Sequence, residues 1–330
     1  MIYSLYIIRI FVYFHERYYS AGGSSYISTK KNVCYLWPGS LHRGPAEGYL
    51  KGGIQMKKLK RSARLVEMTQ YLLFRPHTLI PLTTFADRYN SAKSSISEDL
   101  AIIKEVFEEE GLGELMTLAG AAGGVKFIPK VTKAASLQFI QGICRQLEQP
   151  ERILPGGYMY MSDIMGQPMI LNEVGKMFAT AFAGNEIDVV MTVETKGIPL
   201  AYATASFLNL PVVIVRRDNK VTEGSAVSIN YVSGSNKRIQ TMSLSRRALK
   251  EESKVLIIDD FMRVGGTVHG MMDLLKEFNA TVKGVGVFVE SGEVEEHLVE
   301  DYISLAKLSA VDPKTRQITV EPGNYFSDGE

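Results

Sequence analysis

Val255-Leu256-Ile257-Ile258-Asp259-Asp260-Phe261-Met262-Arg263-Val264-Gly265-Gly266-Thr267 is the stretch on which the reading of this 330-residue chain turns. Four apolar residues in a row suit a strand buried on both faces, and two acids stand at its carboxyl end. The glycine pair lets the backbone wrap closely around an anion. Thr267 is expected to open a helix, so that free amides and the positive helix terminus converge on one phosphate. Acids beside a phosphate cradle make sense when the ligand also carries hydroxyls. Asp259 and Asp260 are read as acceptors for two ribose hydroxyls, with Mg²⁺ moderating repulsion between carboxylates and phosphates. The plainer reading, an acidic turn before a capped helix, does not account for the length and order of the stretch.

Working outward, short apolar strands alternate with helices, which implies a parallel sheet with crossovers. Strands are expected over Ile187–Val193, Val212–Val215, Val255–Ile258 and Val282–Val289, and helices over Ile170–Ala183, Ile198–Leu208 and Thr267–Phe278. Val221 to Thr241 is polar and reads as a long mobile loop or a hairpin. Val193-Glu194-Thr195-Lys196-Gly197-Ile198-Pro199-Leu200 again joins a strand to a helix. Arg216 and Arg217 close the next strand, either as anion ligands or as solvated loop charges.

The 255–267 stretch resembles the signature of the type I phosphoribosyltransferases, which bind phosphoribosyl pyrophosphate (PRPP). The turn at Thr195, Lys196 and Gly197 resembles that fold's diphosphate loop, with Lys196 supplying charge and Gly197 the close approach. The resemblance runs from about residue 150 to 290 and is nearest to the xanthine and adenine enzymes. It implies a PRPP site formed by Asp259, Asp260, Arg263, Val264, Gly265, Gly266, Thr267, Thr195, Lys196, Gly197 and Arg217. Arg263-Val264 departs from the enzymes, which carry small or hydroxylated residues there. Binding through backbone amides should survive this, whereas the geometry that turnover needs is easily lost. No purine-base pocket is evident after residue 290. The expectation is a binding site without catalytic residues and without a resident metal.

Before this domain the chain has a different pattern. Lys57-Lys58-Leu59-Lys60-Arg61-Ser62-Ala63-Arg64 holds five cations and no acid, a composition suited to the DNA backbone or to a solvated helix start. Helices are expected from Ser62 to Phe74, over Leu82–Tyr89 and over Lys93–Glu109, the last with a buried stripe of Ile96, Leu100, Ile103 and Phe107. Strands at 114–118 and 125–128 flank a glycine-rich tip, and a further helix is expected from Thr132 to Glu148. Three helices and a hairpin are the layout of a winged helix-turn-helix. Its third helix would enter the major groove amino end first. Lys93, Ser94 and Ser95 crowd that end, Arg88 flanks it and Lys126 lies on the wing, although serines there also serve as ordinary caps.

A winged helix joined to a PRPP-type domain is similar to the purine operon repressors of the Gram-positive type, from Met56 onward. The resemblance implies a cytoplasmic homodimer that binds double-stranded operator DNA and is released by PRPP. The competing reading is a xanthine- or adenine-type phosphoribosyltransferase with an accessory N-terminal domain. An RNA-binding module would need stacking aromatics near the basic run, and Tyr71 and Phe74 fall on or near the apolar stripe of the first helix instead.

Bulk properties agree with a local rather than a global polyanion site: net charge is +1 and 45% of residues are apolar. Cys34 and Cys144 stand in unrelated contexts, which gives neither metal spacing nor a disulfide framework and fits a reducing cytosol. Met1–Phe14 is apolar but interrupted by Arg9 and shorter than the ~20 residues a membrane helix needs. Lys51-Gly52-Gly53 back-translates to a purine-rich ribosome-binding sequence ahead of Met56. Residues 1–55 are therefore expected to be unstructured, translated upstream sequence, residues 56–130 the DNA-binding domain and residues 131–330 the PRPP-binding domain.

Overall fold

The computed structural model describes residues 59–327, apart from 121–122, 156–157, 219–223, 233–238, 293–296 and 313. The expectations for residues 1–55 and for Lys57 and Lys58 lie outside the described residues.

The first described domain opens with α1 (Arg61–Leu73), α2 (Leu82–Tyr89) and α3 (Lys93–Glu109). Asn90 turns the chain between α2 and α3 in the left-handed conformation, φ 46°, which its short amide side chain tolerates. All four residues of the expected α3 stripe are buried, against Met68 and Leu72 of α1 and Phe85 and Tyr89 of α2. Phe74, expected on or near the apolar stripe of α1, is 73% exposed. The wing is β1 (Gly113–Leu118) paired antiparallel with β2 (Gly124–Pro129). Ile80 adds a bridge to Val125, and a Cβ at Gly124 would lie 2.3 Å from the Ile80 carbonyl oxygen, so this close approach requires glycine.

The second domain follows with α4 (Lys133–Leu147), the short pair β3 (Ile153–Leu154) and β4 (Tyr158–Met159), and α5 (Pro168–Ala181). Next come β5 (Val189–Val193), α6 (Gly197–Leu208) and β6 (Val212–Val215). β7 (Ala226–Val232) pairs antiparallel with β8 (Ile239–Ser245), so within the polar Val221–Thr241 stretch residues 226–232 and 239–241 belong to paired strands. The chain closes with β9 (Lys254–Met262), α7 (Gly266–Lys276), β10 (Thr281–Ser291), β11 (Ile303–Asp312) and β12 (Gln317–Pro322).

The main sheet has the order β12-β11-β10-β9-β5-β6 and is parallel except for the β11–β12 edge. Leu256 and Ile258 of β9 face one apolar core, formed with α4, α5 and α6. Val255 and Ile257 face the other, formed with α7 and the β7–β8 hairpin. Cys144 lies in the first core, where burial pushes its thiol up to about 11 and leaves it a small core side chain without thiolate chemistry.

Three sequence expectations need correction. The strand of the opening stretch does not stop at Ile258 but continues through both acids to Met262, where β10 pairs with it as far as Glu290. The helix after it starts at Gly266, not Thr267, because Gly265 takes φ 92° as its N-cap. β11 and β12 extend the sheet beyond residue 290, where no strand was expected.

Candidate functional site

β5 and β9 are parallel neighbours in the sheet, so the loops after them open at the same edge. A cleft of about 910 Å³ lies there. It brings together, from three separate stretches, Thr195 and Lys196, Arg217, and the 259–267 run. Gly197 underlies the cleft without lining it. A Cβ at Gly197 would lie 2.3 Å from Thr192 Oγ1 and 3.3 Å from Asp259 Oδ1, so the Thr195–Gly197 loop sits directly on Asp259. The Glu194–Thr195 peptide is cis.

Asp259 is 4% exposed, and its Oδ1 accepts from the backbone N–H of Asp260 at 3.0 Å. Burial, and then the charge of Asp260, hold the Asp259 carboxyl well above the usual carboxylate range. Burial also raises Asp260, against the pull of the nearby Lys196 cation. Such acids are poised to accept hydroxyl hydrogen bonds once a cation or a bound polar ligand balances their charge. No side chain caps the amino end of α7, which leaves its first-turn amides facing the cleft. Arg263 is exposed at the rim, and Val264 is fixed from behind by the backbone N–H of Leu298, which donates to its carbonyl at 2.8 Å.

The two arginines after β6 separate. Arg217 lines the cleft, whereas the Arg216 guanidinium donates to Glu194 Oε2 at 3.3 Å behind the loop. Sequence reasoning missed the other wall, made by Tyr158, Met159, Met161, Ser291, Leu308 and Val311. A signal existed for part of it: Ile303, Leu305, Ala306 and Leu308 make a short apolar-rich run after residue 290, of the length of a buried strand. Among the described residues no group of three or more His, Cys, Asp or Glu is arranged to hold a metal ion.

In the winged-helix domain Lys60, Lys93 and Ser94 are exposed, Ser95 and Lys126 half-buried. The residue at the N-cap of α3 is Ala92, and no side chain caps the helix, so neither Ser94 nor Ser95 is spent on capping. Arg88 is half exposed, 3.6 Å from Glu67 and over the ring of Tyr71. Arg64 departs from its expected place. It is 8% exposed, donating from Nε to buried Asp99 and from Nη1 to Ser91 Oγ at 3.2 Å. A guanidinium so enclosed holds α1 to α3 and is not a surface ligand for phosphate. Arg61 shares Asp99 at 2.9 Å but stays half exposed.

No helix among the described residues is long and apolar enough to cross a membrane. Residues 60–129 match the family described as bacterial purine repressor, N-terminal, and residues 162–321 match the phosphoribosyl transferase domain. A purine biosynthesis transcriptional repressor of Bacillus subtilis (strain 168) is 62% identical over 269 residues, covering 82% of this chain and 94% of the relative. A purine biosynthesis transcriptional activator of Lactococcus lactis subsp. lactis (strain IL1403) is 46% identical over 82% of this chain and its own full length. A xanthine phosphoribosyltransferase of Clostridium novyi (strain NT) is 32% identical over 43% of this chain and 80% of its own. With its winged helix and its phosphoribosyltransferase-type α/β domain, the chain belongs to the bacterial purine biosynthesis transcriptional repressor family.

Proposed function

We propose that this protein is a cytoplasmic transcriptional repressor of purine biosynthesis genes, that it binds operator DNA as a homodimer, and that PRPP in the cleft releases it. The observation that carries the ligand reading is the meeting of an uncapped helix terminus, a Lys-Gly loop and two buried acids in one cleft. PRPP carries complementary groups: phosphates for the amides of Gly265, Gly266 and Thr267, a diphosphate for Thr195, Lys196 and Arg217, and ribose hydroxyls for Asp259 and Asp260. Mg²⁺ would arrive with the diphosphate and reduce its repulsion with the two acids.

The DNA face comprises Lys93, Ser94 and Ser95 at the amino end of α3, with Arg88, Lys60 and Arg61 beside it and Lys126 on the wing; Lys57 and Lys58, which precede Lys60 in the sequence, add to its charge. Repression rather than activation follows the relative of higher identity, 62% against 46%. Arg263 and Val264 support binding without turnover, since only contacts stronger in the transition state accelerate a reaction. A gel-shift assay on the control region of a purine biosynthesis operon tests this reading. The protein retards the duplex, and PRPP with Mg²⁺ restores its free mobility. A complex indifferent to PRPP overturns it.

A further inference from the structure

Hydrogen bonds between the two domains land on α5 and on the end of α6. Lys176 Nζ donates to the Gly111 carbonyl at 3.1 Å and Asn209 Nδ2 to Thr78 Oγ1 at 3.1 Å, while Thr180 Oγ1 holds the segment that leaves the winged helix, accepting from the N–H of Val131 at 3.1 Å. The apolar cores do not cross this joint: the core of the winged helix shares no residue with the cores of the α/β domain. Among the described residues no apolar core spans this joint, so two arrangements of the domains can differ little in free energy.

The opposite end of α6 is the cleft. The helix starts at Gly197, in contact with Asp259, and ends at Leu208 with Asn209 as its left-handed cap. Its 12 residues span about 18 Å. α5 lies against it so closely that a Cβ on Gly175 would be 2.7 Å from the carbonyl carbon and Cβ of Ala203. Helices in such contact move as one body, because packed surfaces shift between discrete arrangements and do not deform smoothly.

We infer that α5 and α6 form one transmission layer, which reports occupancy of the Thr195–Gly197 loop to the DNA-reading domain through Asn209, Thr180 and Lys176. These are positioning residues: they touch neither ligand, yet they set which domain arrangement accompanies a filled cleft. The inference rests on the reading of PRPP as the effector. A ligand shifts such an equilibrium only by its difference in affinity for the two arrangements, and losing the link removes that coupling while leaving both sites intact.

The test uses the full chain with Asn209→Gly, which suits φ 56°, combined with Thr180→Val, which keeps shape and removes the hydroxyl. Three quantities are measured: Kd for Mg²⁺–PRPP by calorimetry, Kd for a purine-operon duplex by fluorescence anisotropy, and the duplex Kd at saturating Mg²⁺–PRPP. The first two should stay within about threefold of the parent, and the factor by which PRPP weakens DNA binding should fall by about tenfold. Thr78→Val, on the other side of the joint, should reduce the same factor. Intact affinities with an undiminished factor in both variants overturn the transmission layer. Loss of PRPP binding itself also overturns it, since the residues would then belong to the pocket. A parent protein whose DNA binding ignores PRPP overturns the effector reading first and this inference with it.

Discussion

Arg64 and Asp99, 35 residues apart, form an ion pair inside the winged-helix domain, with the Asp99 side chain 1% exposed. Arg64→Ala leaves a buried carboxylate without its main partner and should lower stability by about 3–5 kcal/mol. Burial alone would raise the Asp99 pKa, but hydrogen bonds from Arg64 and Arg61 outweigh it and hold the carboxyl below its usual range. A depressed folded-state pKa gives stability that is present above the unfolded value and lost as pH falls through the folded one. Urea titrations at neutral and acid pH should therefore show parent and variant converging as pH drops below about 4. Equal stabilities at neutral pH would mean that the pair contributes nothing.

Asp259→Asn with Asp260→Asn should separate sensing from repression. Replacing two charge-assisted hydrogen bonds weakens PRPP by roughly 3–6 kcal/mol, about 100-fold or more, and the variant stays on DNA as a super-repressor. The folded-state pKa of each acid is raised, so its contribution is favourable below the unfolded pKa and lost as pH rises through the folded one. At neutral pH the acids cost the ligand-free protein stability, and the double variant should melt higher than the parent without PRPP. PRPP should raise the parent's melting temperature but leave the variant's unmoved. A variant that still responds to PRPP excludes this cleft as the sensor.

Lys93→Ala should weaken operator binding and reduce the slope of log K against log salt by about 0.9, the signature of one lost phosphate contact. Lys60→Ala should do the same with no change in preference among duplexes. If neither substitution alters affinity or slope, the amino end of α3 does not face DNA.

Radiolabelled PRPP mixed with the protein and adenine, guanine, hypoxanthine or xanthine should remain PRPP. Enzymes of ordinary efficiency turn over at about 1–10³ s⁻¹, and a rate in that range with any base would make the protein a phosphoribosyltransferase. Exposed Arg263 and the missing hydroxyl at Val264 are the groups expected to prevent it.

The 259–267 part of the cleft was legible because its residues are contiguous: a strand, a glycine pair and a helix start lie within 255–267. The α3 stripe was legible for the same reason: its buried residues recur at helical spacing. Arg64 was not. It closes a run of cations in sequence, and nothing in that run points to Asp99, which only folding brings alongside. The apolar wall was missed because Tyr158, Met161 and Leu308 come from segments on both sides of the signature and meet only when β11 joins the sheet. The joint between the domains was equally silent, since Thr78, Gly111, Thr180 and Asn209 carry no pattern of their own.

The separate apolar cores have a consequence for how this protein fails. Among the described residues the buried apolar cluster of the winged helix is separate from those of the α/β domain, so the two parts are expected to melt as distinct cooperative units. Heating should give two calorimetric transitions, and damage confined to the first unit leaves the second intact. A cell carrying such damage would hold a normal quantity of folded receptor that has lost its grip on the chromosome.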